Sequence, residues 1–229
     1  MKDKHLSTTY EETRDISPSA HDVALYLRCL VDYEEGGLIS QLMLYKLTYY
    51  AQVWSLVFLK QPLFSGEIRA WRHGPVPIDI RPEYKDYKDS AIPKPLEKKE
   101  DLMQLFTDEQ LKIMDLVWEK YGDFSASKLW KLCHLEDPWV NARGDIPPDA
   151  PSDVLISEDS IKAYYAQFAY IDDGEFIIED EALKTNKNEM LFGVVEFKNG
   201  SKHRVEFSDT EVFFNKHKKD LVKKRFVFA

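Results

Sequence analysis

Four groups of side chains in this sequence have the types and spacing to do chemistry. Cys133-His134 would make a nucleophile and base if thiol and imidazole met. Adjacent helical residues point about 100° apart, so a core cysteine beside a capping or surface histidine is the expectation. Lys46 interrupts an apolar run, flanked on its own face by Leu42, Met43, Tyr49 and Tyr50. A desolvated amine there could serve as a nucleophile, but an ion pair or a snorkelling stem is the simpler outcome for an ammonium among tyrosines. Glu136-Asp137 supply the carboxylates expected to pair with Lys46, Arg69 or Arg72. His73, His134, His203 and His217 show no HxxxH spacing, and Cys29 and Cys133 form no CxxC, so no metal or cofactor is expected. With P-loop, GxGxxG and GxSxG patterns also missing, the residues read as those of a non-enzyme.

The elements that position these groups are legible from periodicity. After the helical face of Ser19 to Glu35, closed by Gly36-Gly37, Ser40 caps a helix with a narrow polar stripe of Gln41, Thr48, Gln52 and Ser55. Lys46 lies roughly 140° from that stripe. Trp54 and Tyr50 belong to its broad apolar face, so the helix should run through the middle of a domain. Glu67 to Arg72 alternates as a short half-exposed strand, and His73-Gly74-Pro75-Val76-Pro77 makes a stiff corner, because Gly74 admits positive φ and both prolines lock it. A helix over Ile78 to Lys88 follows, with Pro82 tolerable only in its first turn. Thr107 to Gln110 forms a capping box for a helix ending at Gly122, Ser125 caps the next, Pro138 ends that one beside the large anchor Trp139, and Ser157 caps another.

At 229 residues, with 44% hydrophobic and 31% charged residues, the chain has an ordinary globular composition. No run reaches the length of a membrane span, the first residues lack a signal-peptide core, and two distant cysteines suit reduced thiols in cytoplasm. The net charge of −9 hides an asymmetry: residues 184–229 carry eleven Lys or Arg against six Asp or Glu, leaving the preceding body at −14. An acidic body argues against a nucleic-acid surface there, and the lysine-rich end reads as the solvated face of a terminal helix.

Three separated blocks, LYKLTYYAQVW, PLFSGEIRAWRHGPV and KYGDFSASKLWKL-HLEDPW, stand in an order that resembles the Panacea domain of SocA-like antitoxins, over roughly residues 18 to 170. The resemblance implies a mainly helical core with a short β element. It also implies an antitoxin that binds and neutralises a cognate toxin encoded beside it, or an adaptor that hands the toxin to a protease. The partner-binding residues are then expected at the corner: Arg69, Trp71, Arg72, His73, Gly74 and Pro75. Lys46, Tyr50, Trp54, Glu136, Asp137, Pro138 and Trp139 are expected to serve the scaffold. An acidic body would suit a basic toxin. Pro82 departs from the family's uninterrupted helix.

Residues 1–17 are expected to form a loose tail and 171–229 a small α+β extension. Its signals are the strand-like Glu175 to Ile178, a hairpin across Asn199-Gly200, and a helix capped at Ser208 to Glu211 that passes through Val212, Phe213 and Leu221. Sixty residues bury little by themselves, so the extension should pack on the body and vary partner choice. A different function, nucleic-acid-binding regulation through this basic end, would show a steep salt dependence.

Overall fold

In the computed structural model the described residues are 18–147 and 149–179, with three strand segments, 192–197, 202–206 and 221–226, described by backbone alone. The molecule is built around helix α2 (Gln41–Phe58), in which every residue from Met43 to Val57 is buried. Ser40 caps it, accepting from the Met43 amide at 3.3 Å. The polar stripe does not face water: Thr48, Gln52 and Ser55 are also buried. Gln52 accepts from the Leu63 and Phe64 amides and donates to the Phe64 carbonyl, while Ser55 donates to Gln61. The stripe therefore satisfies the backbone of the segment returning from α2, where buried polar groups need partners.

Around α2 pack α1 (Ala20–Cys29), α5 (Asp108–Tyr121), α6 (Ala126–Cys133) and α8 (Glu158–Tyr165). The expected caps at Thr107, Ser125 and Ser157 are present, Thr107 and Gln110 as a capping box, and Ser19 and Asp22 form a further box that was not expected. Helix α1 ends at Cys29, short of the expected Glu35. Beyond it the Asp32 carboxylate accepts from the Glu35 amide and the Asp32 carbonyl from Gly37, a local turn that competes with helix.

Strands β1 (Ile68–Trp71) and β2 (Gly74–Pro77) form an antiparallel hairpin in which Trp71 faces Gly74 across Arg72-His73. Proline at 75 and 77 suits β2 to an edge. The other side of β1 is met by residues 154–156, with Ala70 donating to Val154 and Ile156 to Ile68, both at 2.8 Å. A 3-10 turn at Ile78–Ile80 leads into α3 (Arg81–Tyr84), with Pro82 in its first turn as expected, although the helix is only four residues long. Short α4 (Lys99–Met103) precedes α5, and α7 (Asp137–Arg143), opened by Pro138, follows α6.

The hairpin of β3 (Ala169–Asp172) and β4 (Glu175–Ile178) runs across residue 171, where the extension was expected to begin. It stays with the body: Phe176 stacks on Phe58 at 4.8 Å, and Ile178 is buried in the core. Farther on, β5 (Phe192–Phe197) pairs antiparallel with both β6 (Lys202–Glu206) and β7 (Leu221–Phe226), giving the order β6-β5-β7. The strands of the expected hairpin are thus β5 and β6. Leu221 to Phe226, expected to close a helix, is a strand, because the free edge of β5 offers these residues a ladder. The rest of that helix, the 1–17 tail and the packing of the extension on the body lie outside the described residues. The whole is mainly helical with short β elements, and no helix among the described residues is long and apolar enough to cross a membrane.

Candidate functional site

The β1–β2 corner has an inner and an outer face. On the inner face Gly74, at φ +96°, brings the hairpin against α2 and α6: a Cβ there would lie 2.5 Å from Cys133 Sγ and 2.7 Å from Lys46 Nζ. Lys46 is fully buried and its Nζ donates to the Pro75 carbonyl at 2.8 Å. Burial pulls its pKa down to about 8, with Cys133 and Glu136 acting in the opposite sense. Glu136, 2% exposed, accepts from the Tyr50 hydroxyl at 3.0 Å. Burial pushes its pKa up to about 7, against the pull of Tyr165, Tyr50 and Lys46.

The expected cross-block ion pair is therefore not formed. Lys46 is met by a backbone carbonyl, Asp137 is exposed, and Arg69 turns to Glu67 and to the Asp153 carbonyl. The physical reason lies in Gly74, whose missing side chain lets the Pro75 peptide come within reach of the amine. Tyrosines complete this interior. Tyr50 stacks on Tyr121 at 4.3 Å, Trp54 donates to the Tyr121 hydroxyl, and Tyr49 meets Tyr165 at 3.2 Å. Burial, then Glu136, raises all four phenol pKa values well above normal.

Cys133 and His134 do approach, with Sγ 3.5 Å from Nδ1, which the helical spacing alone did not allow for. His134 is the C-cap of α6, where its ring folds back toward the Trp130 carbonyl at 2.6 Å. No activated thiolate results. Burial raises the thiol to about 12 and lowers the imidazole to about 3, so both are neutral and both are shut away from solvent.

The outer face is held from behind, one carbonyl after another. Arg143 donates to Ala70 O at 3.0 Å, Trp139 Nε1 to Trp71 O at 2.8 Å, and His134 Nε2 lies 3.0 Å from Arg72 O. The third sequence block thus supplies His134 and Trp139 of the brace, and the helix that Pro138 starts runs past the block to carry Arg143. In front lies an open groove of about 910 Å³, lined by Trp71, Arg72, His73, Arg81, Pro82 and the loop Pro151 to Asp153, with Ile78 between. The Arg81 guanidinium lies over the Trp71 ring at 5.0 Å, Trp71 Nε1 donates to Asp153 at 3.0 Å, and Arg72 Nε donates to His73 Nε2 at 3.0 Å. Burial, then Arg72 and Lys46, lowers the His73 pKa, which favours the neutral ring that accepts from Arg72.

Of the six corner residues expected to meet a partner, Arg72 and His73 are exposed and Arg69 and Trp71 partly so, while Gly74 and Pro75 are buried and belong to the inner face. Arg81, Pro82 and Asp153 were missed. Spacing gives no sign that a loop some eighty residues away returns to Trp71, and Arg81 is placed only by the short 3-10 turn before it. Among the described residues no group of His, Cys, Asp and Glu could hold a metal ion.

These features define a mainly helical domain with one braced β corner. The family model described as antitoxin SocA-like, Panacea domain, matches residues 44–140, a span that contains all but the first three residues of α2, the corner and all three sequence blocks. No curated protein and no solved structure matches the chain.

Proposed function

We propose that this chain is an antitoxin that neutralises a cognate toxin, encoded beside it, by direct binding in the cytoplasm, with no catalytic step of its own. The observation that carries the reading is the outer face of the corner. It joins tryptophan and arginine, the residue types richest in binding energy at interfaces, on a backbone held rigid by three successive contacts. The match to an antitoxin-like family over residues 44–140 supports the same reading. The inner cluster does not compete as a reaction centre, since Lys46, Cys133 and Glu136 are at most 2% exposed.

The test is expression of the neighbouring reading frame alone and with this chain. Growth arrest by the neighbour, relieved by this chain and no longer relieved by Trp71→Ala/Arg72→Ala, is the expected result. A harmless neighbour would sink the proposal. Toxin levels that fall only when a cellular protease is present would make the chain an adaptor. The β5–β7 extension is proposed to tune partner choice. A chain shortened to residues 1–179, which keeps Phe176 and Ile178 in the core, should then bind its toxin more weakly.

A further inference from the structure

Neither Arg72 nor Arg81 forms an ion pair among the described residues, although both are exposed on a body of net charge −14. Carboxylates are plentiful on such a surface, so two unpaired guanidinium groups in one groove are an arrangement against the average. The one carboxylate lining the groove, Asp153, is engaged by Trp71 Nε1, and the Arg69 side chain beside it is taken by Glu67. Arg81 also sits with its guanidinium carbon over the Trp71 ring at 5.0 Å, and an arginine there can offer a carboxylate a forked contact. The rest of the lining is the apolar Ile78, Pro82 and Pro151 together with His73 and Ser152.

Resting on the antitoxin reading, we infer that the groove receives an acidic segment of the toxin, with a carboxylate side chain held between Arg72 and Arg81 and an adjacent apolar side chain laid against Trp71 and the prolines. This inverts the charge pairing expected from composition, in which an acidic antitoxin faces a basic toxin. Net charge governs long-range approach, whereas the seated contact follows the local groups, and here those are cationic. A phosphate ligand fits less well. Such sites draw on converging backbone N–H donors, and α3 behind the groove is a four-residue helix with proline in its first turn.

The experiment is calorimetric titration of the full-length chain with the purified product of the neighbouring frame, at two salt concentrations. The titration is repeated with Arg72→Gln/Arg81→Gln and Arg72→Glu/Arg81→Glu. Both positions are exposed, and an unchanged melting temperature serves as the folding check. Neutralising both arginines should weaken binding about tenfold and flatten its salt dependence, and reversing both should weaken it about a hundredfold. Wild-type binding that the reversed variant retains or improves overturns the inference and leaves the antitoxin reading standing. Absence of wild-type binding removes both together. ATP that displaces the partner only when the arginines are present would assign the groove to a phosphate and also overturn the inference.

Discussion

The two faces of the β1–β2 corner handle charge in opposite ways. Inside, Lys46 and Glu136 are stripped of water and driven toward neutrality, each hydrogen-bonded to a neutral partner, the Pro75 carbonyl and the Tyr50 hydroxyl. Outside, Arg72 and Arg81 are exposed, and among the described residues neither forms an ion pair with a carboxylate. Only the thickness of a two-stranded ribbon separates them. Polar residues behind that ribbon fix its backbone, and polar residues in front of it stay available, so one patch of sequence serves folding and recognition through opposite sides.

The sharpest way to break this comparison is at Gly74. Gly74→Ala would place a methyl group against both Cys133 Sγ and Lys46 Nζ at a positive φ, and should cost about 3 kcal/mol or more in denaturant unfolding. Gly36→Ala is the control, since its φ of +83° is also positive but no atom lies within 4 Å. It should cost about 1 kcal/mol, and equal losses at the two sites would mean that the inner contact is unimportant.

Titration sharpens the inner half. Glu136 has a folded pKa of about 7 against 4.5 ordinarily, so between those values the native state holds a proton that the unfolded chain has lost, and stability falls as pH rises. Glu136→Gln should abolish that fall, a difference of more than about 1 kcal/mol across the window in pH-dependent unfolding. Lys46 behaves in the opposite sense. With a folded pKa of about 8 against 10.5, the unfolded chain binds the extra proton between them, so stability rises with pH there, and Lys46→Met should remove the rise. A wild-type profile flat through both windows would show the pair ionised and mutually compensated. On the outer face Trp71→Phe deletes the bond to Asp153 and trims the ring beneath Arg81, and should cost about 1 kcal/mol by thermal melting, while weakening the partner complex more than the fold.

Local rules made much of this readable. Ser40, Thr107, Ser125 and Ser157 cap helices because capping depends on three or four neighbouring residues, and the burial of α2 follows from its width of apolar face. Lys46 was legible as a cation on an apolar face, expected to snorkel or to meet a carboxylate, but its full burial against a carbonyl was not: a carbonyl belongs to every residue, and only Gly74 hints at which one draws near. The brace from Arg143, Trp139 and His134 and the groove wall from Asp153 depend on long-range topology, which periodicity does not encode. The end of the chain shows a different failure. Lysines around Leu221 suit the last turn of a helix and the edge of a sheet alike, and the vacant side of β5 decided between them.

Gln52 carries a consequence for how this scaffold can change over time. One amide group answers the Leu63 and Phe64 amides and the Phe64 carbonyl, so the path of that return is dictated from a neighbouring cylinder and hardly at all by its own letters. Gln61, Pro62 and Ser65 are exposed around it, whereas Gly66, at φ +149°, has no room for a Cβ beside the Asp79 carboxylate. A descendant lineage can rewrite the exposed letters of that bend and still deliver the corner to the same place, provided Gln52, Ser55 and Gly66 are kept.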